Sequence, residues 1–339
     1  MVRAALVTPL SGPLARYGRA TATALRLWAR RFTGTETVDL EVVDAHPDAS
    51  AAVRHAERNE PHLLFGPYGS GPTAEVVKAT SRLVWNHGGA RIRPRDNVVS
   101  VLAPAHTYFI GAVEVIYHAD PRVGRVGVLH GDTGFGRGVA GGAEQAAVHR
   151  GLDAERAVLP GDPPRADVLL AAGRFDDELV LARALDRDRW RAAGFVAAGV
   201  SEVLAELGDR REGLLGPAQW MPEVAPQPDE GPAASEFVAA HRELTGDDPP
   251  YPAAQAFAAG VLALRCLHEA GTSEDAAVAA VARKLDRTTL FGRFRLDSAG
   301  RQVGHRVLTV QWQDGVRTVV WPPEQAQAAL RYPLRRPSG

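Results

Sequence analysis

Leu63 to Ala90 reads LLFGPYGSGPTAEVVKATSRLVWNHGGA, and the way this stretch is parsed decides the fold. His62 to Phe65 is a short apolar run that stops at Gly66-Pro67, and Ser70 to Thr73 offer capping hydroxyls before a helix-forming run, Ala74 to Arg82. A strand resumes near Leu83 and breaks at Asn86-His87-Gly88-Gly89. The product is a βαβ unit with a small-residue loop at the carboxyl end of each strand. In open parallel sheets ligands sit outside those ends, where free N–H groups and helix N-termini face the cleft. Glycine lets backbone approach a ligand closely, so Gly69, Gly71, Gly88 and Gly89 suit such a rim. Ordinary βα turns use glycine as well, so neither loop alone decides a function.

Outward from this unit the alternation continues in both directions. Val2 to Thr8 is an apolar strand that runs into Pro9 to Gly18, read as an irregular loop from which Tyr17 projects. An amphipathic helix follows from Thr21 to Phe32, then a strand from Val38 to Asp44 and a helix from Ala51 to Glu60 capped by Ser50. Val98 to Leu102 is extended and Tyr108 to Tyr117 helical. After the Pro121 joint the pattern restarts with strand Arg125 to His130, closed by Gly131-Asp132-Thr133-Gly134-Phe135-Gly136, and helix Gly138 to Gly151. Strands at Arg156 to Leu159, Asp167 to Ala171, Gly194 to Ala198 and Gly213 to Trp220, with a helix at Asp176 to Asp186, complete a second α/β segment. Helix Ala234 to Thr245, a Pro-rich joint at Gly246 to Pro252, helices Ala253 to Ala270 and Ser273 to Leu285, a strand at Phe291 to Leu296 and a hairpin around Gln313-Asp314-Gly315 close the chain. Alternation of strand and helix predicts an α/β fold of two Rossmann-like lobes with parallel sheets covered on both faces.

Composition bounds the rest. A chain of 339 residues exceeds one small core, and 45% hydrophobic with 23% charged residues describes an ordinary globular protein. The formal charge of -1 and the absence of a basic stripe with interleaved aromatics exclude nucleic acid as the expected partner. Cys266 is the lone cysteine, inside an apolar helical pattern, which reads as a buried thiol rather than a disulfide or metal ligand. No apolar run is long enough for direct membrane insertion, and no leader-like segment precedes the first strand. With Met1 as the natural start the expected compartment is the cytoplasm; with a leader or anchor trimmed away it is extracytoplasmic.

Particular loops then stand in a telling order: Ser11-Gly12-Pro13 with Tyr17-Gly18, Phe65-Gly66-Pro67-Tyr68, Asp132-Thr133-Gly134-Phe135-Gly136, Ala166-Asp167-Val168, Phe291-Gly292 with Asp297 and Gly300, and Val310-Gln311-Trp312. In this order they resemble the type I periplasmic (solute) binding proteins of the branched-chain amino acid (Leu/Ile/Val) ABC-transporter family, over nearly the whole chain. The resemblance implies two lobes joined by a three-strand hinge that closes on a small ligand. Lobe 1 would hold residues 1–120 and 253–303, lobe 2 residues 121–252 and 304–339, with crossovers near 121, 250 and 304. By position, Ser70 matches the hydroxyl that binds the ligand's carboxylate, and Gly88 and Gly89 match the loop whose backbone contacts it. Tyr17, Tyr68, Phe135, Phe175 and Trp220 are the implied aromatic lining, while Asn86 and His87 replace the commoner Ser-Pro type and add side-chain donors. The acid that usually receives a ligand ammonium falls at Ala197 to Val200, where none stands, and the neighbouring clamp position falls at Arg174-Phe175. A buried ammonium without a partner is costly, so a carboxylate or amide is expected to fit Arg174 and His87 better than an α-amino acid.

Catalytic chemistry finds no support. Asp132-Thr133-Gly134 has no second copy to share a proton, Gly69-Ser70-Gly71 lacks the spacing of a nucleophile elbow, and His268-Glu269 has no second histidine one turn later. No enzyme activity, cofactor or metal is expected. The leading reading is a solute-binding protein of an ABC transporter, with a small-molecule ligand and a permease as partners. The alternative is a cytoplasmic ligand-sensing regulator on the same fold that acts on a protein partner.

Overall fold

The computed structural model describes residues 1–334, the side chain of Ser201 excepted, so residues 335–339 of the expected second lobe lie outside the described residues. The opening apolar run is β1 (Val2–Thr8), followed by α1 (Ala15–Arg31), β2 (Val38–Asp44), α2 (Ala49–Ala56), β3 (Leu63–Phe65), α3 (Ser70–Ala79), β4 (Val84–Asn86) and β5 (Val98–Ser100). These strands pair in parallel in the order β2-β1-β3-β4-β5, with Leu6 of β1 opposite both Val42 and Phe65. Next come α4 (Ile110–Ala119), β6 (Arg125–His130), α5 (Gly134–His149), β7 (Asp153–Val158), β8 (Val168–Ala172), α6 (Phe175–Arg183), β9 (Ala192–Phe195), α7 (Ser201–Leu204) and β10 (Leu215–Ala218). Then follow α8 (Ala234–Thr245), α9 (Tyr251–Ala270), α10 (Asp275–Lys284) and a separate antiparallel ribbon, β11 (Asp286–Thr289) with β12 (Gly292–Arg295). The closing pair is β13 (Leu308–Gln313) and β14 (Val316–Trp321). The second sheet runs β14-β13-β10-β9-β8-β6-β7, parallel from β7 to β10 and antiparallel through the closing hairpin. Asp314 and Gly315 turn that hairpin with φ of 53° and 80°, the left-handed pair that two-residue hairpins demand.

The chain divides into two compact units: Met1–Pro104 with Trp220–Arg306, and Ala105–Gln219 with the segment from Val307 on. The crossings thus follow Pro104, Gln219 and Arg306; the resemblance implied crossovers near 121, 250 and 304, of which the third falls within two residues and the first two do not hold. The physical reason lies in packing. Helix α4 seats on unit two, where Glu114 pairs with Arg150 at 2.9 Å and where a Cβ on Gly142 would fall 1.8 Å from the His106 carbonyl oxygen. Residues 220–252 seat on unit one through Phe237 against Phe257, 4.7 Å between centroids, and the Arg31–Glu243 ion pair at 2.6 Å. Pro121 and Pro250 are turns inside a unit rather than joints between units.

Several helices start earlier than their apolar stripes. Tyr17 lies in the first turn of α1 and is buried, so it does not project from a loop. Helix α2 is capped by Asp48, which accepts from Ala51 N–H at 2.9 Å, not by Ser50. Helix α3 begins at Ser70 behind Gly69 with no side-chain cap, and Gly134 to Gly136 open α5 behind the Thr133 cap. The core of unit one lies on both faces of its sheet, with Trp28, Phe65 and Phe257 on the α1/α9 side and Val7, Val53, Leu64 and Val76 toward α2 and α3. Unit two buries Val128, Val139, Leu170, Phe195 and Val310 in the same manner.

Candidate functional site

In each sheet the strand order reverses beside the first strand, between β1 and β3 in unit one and between β6 and β8 in unit two. Such switch points leave the strand carboxyl ends open to a ligand. In unit one the loop after β1 is fastened by Asp44, which accepts from Leu10 N–H at 2.8 Å and Ser11 O–H at 2.7 Å. Tyr17, from α1 after β1, stacks on Tyr68, from the loop after β3, with centroids 4.7 Å apart and planes at 23°. The Tyr68 hydroxyl meets that of Tyr251, the first residue of α9. Tyr251 was read as part of a joint. The Pro at its second helical position is the signal of a helix start that could have placed it.

Ser70 is half-buried at the first position of α3, and its Oγ accepts the Arg91 N–H at 3.1 Å, leaving its own O–H to donate. Asn86, Gly88 and Gly89 take different roles from those expected. The Asn86 side chain is fully buried; its Nδ2 donates to the Gly89 carbonyl at 2.9 Å and to Ser100 Oγ at 2.8 Å. Its Oδ1 accepts the N–H groups of Gly88 at 3.3 Å and Gly89 at 2.8 Å. The Gly88 carbonyl accepts from Gly69 N–H at 3.0 Å. Both glycine backbones and the asparagine donors are therefore committed to partners in this loop, at Gly69 and at Ser100. Gly88 is required for fit: a Cβ there would lie 2.5 Å from Tyr68 Cα. His87 is sealed in the interior with neither ring nitrogen hydrogen-bonded, and burial, only partly offset by the backbone at Gly66, pushes its pKa down to about 4. It is neutral at physiological pH and offers no charge to an anion. Trp220 is likewise core: buried in unit one against Phe237, it donates Nε1–H to the Leu290 carbonyl at 2.9 Å.

In unit two, Phe135 in the first turn of α5 packs edge-on to Tyr108, 5.4 Å between centroids, and the Tyr108 hydroxyl accepts from Gln219 Nε2 at 2.9 Å. Arg174 caps α6 and is exposed, with no ion-pair partner among the described residues, and Phe175 follows half-buried. A carboxylate does reach the Ala197 segment after all. Glu178, fully buried, accepts Gly173 N–H after β8 at 2.7 Å and Ala197 N–H after β9 at 2.6 Å. Burial pushes its pKa up to about 8 against the pull of those N–H groups. The signal was in the sequence: Phe175, Glu178, Leu179 and Ala182 share one helical stripe, so an acid stands among apolar neighbours. Among the described residues no cluster of side chains could hold a metal ion, and no helix is long and apolar enough to cross a membrane.

Comparison with known proteins bears on the fold. Residues 164–317 match the family model described as periplasmic binding protein. The leucine-binding protein of Thermotoga maritima superposes with a TM-score of 0.75 at 17% identity, covering 94% of this chain and 97% of that one. A solute-binding protein of an ABC transporter from R. palustris, solved with benzoate, gives 0.74 at 15% identity over 94% and 95% of the two chains. A branched-chain amino acid ABC transporter periplasmic ligand-binding protein from Burkholderia xenovorans gives 0.75 at 14% identity over 96% of each. The chain has the type I periplasmic-binding-protein fold, as its loop motifs implied, and the proteins it resembles are binding proteins rather than enzymes. A ligand-binding role is what they have in common.

Proposed function

We propose that the protein is the solute-binding component of an ABC transporter, capturing a small organic ligand in the interlobe cleft by hinge closure and presenting the closed form to a permease. The observation that carries this reading is the aromatic side chains set at both switch points: Tyr17 stacked on Tyr68 in unit one, and in unit two Phe135 after β6, packed on Tyr108, with Phe175 next to Arg174 after β8. Ser70, with its O–H free to donate, is the residue for a ligand carboxylate or amide oxygen, and Arg174 supports a negative charge. Glu178, the acid nearest the Ala197 segment, is sealed and bound to backbone N–H groups, which favours a carboxylate or amide over an α-amino acid.

A thermal-shift screen of aromatic and aliphatic carboxylates, amides, leucine and valine tests this, since ligand at roughly 100 times its Kd stabilises by about 2.7 kcal/mol. Carboxylates or amides should raise Tm, and Ser70→Ala should weaken their binding by about 1–3 kcal/mol. Arg174→Ala should harm anions more than neutral ligands. A shift with leucine or valine alone would overturn the ligand class, and no shift with any of them would overturn the solute-binding reading.

A further inference from the structure

Unit one carries a groove of about 630 Å³ on its α1/α9 face, and it is not part of the strand-end rim. Its lining begins at Trp28 and Phe32, toward the far end of α1 from Tyr17. At 1.5 Å per residue, the helix places about 22 Å between Tyr17 and Phe32. The floor is apolar, made by the buried side chains of Trp28, Val261 and Leu264, while the edge is charged. On that edge Arg265 is already engaged by two carboxylates, Glu230 at 3.5 Å and Glu269 at 3.3 Å. Arg287 forms no salt bridge among the described residues: it donates to the Asp286 carbonyl at 3.1 Å, while the neighbouring Asp286 carboxylate is held mainly by Arg293 at 2.6 Å.

Trp28 adds a second, independent sign. It is fully buried and its Nε1–H has no acceptor, an arrangement that buried donors rarely show. The indole is fixed in place, because it lies where a Cβ on Gly260 would come within 2.5 Å of its Cδ2. An apolar floor, an unspent indole donor and an arginine outside any salt bridge share one pocket. Its volume is in the range of roughly 300–1,000 Å³ typical of small-molecule sites.

We propose that this groove is a second ligand site, for a small amphipathic anion with a flat apolar body and one carboxylate. The body lies on Val261 and Leu264, the carboxylate pairs with Arg287, and, as the groove's side chains part, the π face of the body takes the Trp28 Nε1–H. The test is calorimetric titration of the whole chain with naphthoate, with the neutral naphthamide as its uncharged counterpart. Wild-type protein should show a naphthoate-binding event that survives Tyr17→Ala at the rim. Arg287→Gln should weaken that event by about tenfold while leaving naphthamide unaffected, and Leu264→Trp, which fills the floor, should abolish it. Arg287 is only half-buried, so its variant keeps the test sound if Leu264→Trp folds poorly. Absence of any event that survives Tyr17→Ala, or one indifferent to Arg287→Gln, would overturn the proposal.

Discussion

Asn86 shows how one side chain can define a loop. Three hydrogen bonds from a single buried amide fix the Gly88-Gly89 turn, a fourth ties it to Ser100, and Gly88 of that turn packs against the Tyr68 backbone. Asn86→Ala leaves the buried Gly89 N–H and carbonyl and the half-buried Gly88 N–H unmatched, so it should lower stability by about 2–3 kcal/mol in urea unfolding; an unchanged midpoint would show that the loop holds itself. Glu178 makes a pH prediction. Its folded pKa, about 8, is raised above the ordinary value of 4.5, so between those limits the folded state holds a proton that the unfolded chain has lost. The contribution of Glu178 is therefore fully present below about pH 4.5 and is lost as pH rises toward 8, by up to ~1.4 kcal/mol per pH unit. Glu178→Gln should flatten that decline relative to wild type, and parallel pH profiles for the two proteins would refute it. The elements that carry these two residues, the end of β4 and helix α6, were legible. Which partners their side chains take was not, because hydrogen bonds between loops and strand ends depend on register and leave no periodic trace in the sequence.

At the scale of elements, alternation located nearly every strand and helix because the two periods, 2.0 and 3.6, differ enough to separate. Helix starts were the weak point. The apolar stripe of a helix begins only where the helix meets its neighbours, while the backbone coils one turn sooner: α1 starts at Ala15 although its stripe was read from Thr21. Capping chemistry misled for a related reason, since both Asp48 and Ser50 are competent caps and only the geometry chooses. Asp48→Ala should cost about 1 kcal/mol, against a Ser50→Ala change close to neutral. Equal losses in thermal unfolding would contradict the Asp48 bond. Strand β11, Asp286-Arg287-Thr288-Thr289, was missed altogether, because its pairing with β12 supplies what its polar sequence does not.

At the scale of the molecule, the fold class and the two-unit plan were legible, and so was the last crossing, but the first two were not. Prolines mark turns whether or not the chain leaves a unit there, and only packing tells the two apart. Unit one also depends on a distant segment. Phe257 of α9 packs against Phe32, and Gly260 lies under Trp28, so the β1–β5 sheet keeps one covered face only when residues 220–306 are present. A fragment of residues 1–104 should accordingly lack a cooperative thermal transition, and a sharp melt of that fragment would refute the dependence.

The same interleaving dictates an order of events during biosynthesis. A ribosome delivers β1 to β5 first and α9 much later, after all of the intervening unit-two segment has emerged. The nascent sheet therefore waits with Trp28 and its neighbours uncovered, the circumstance in which chaperones bind and aggregation competes. For this chain the part made first is completed only after residues 105–219 have been made, and its yield in a cell depends on how that interval is survived.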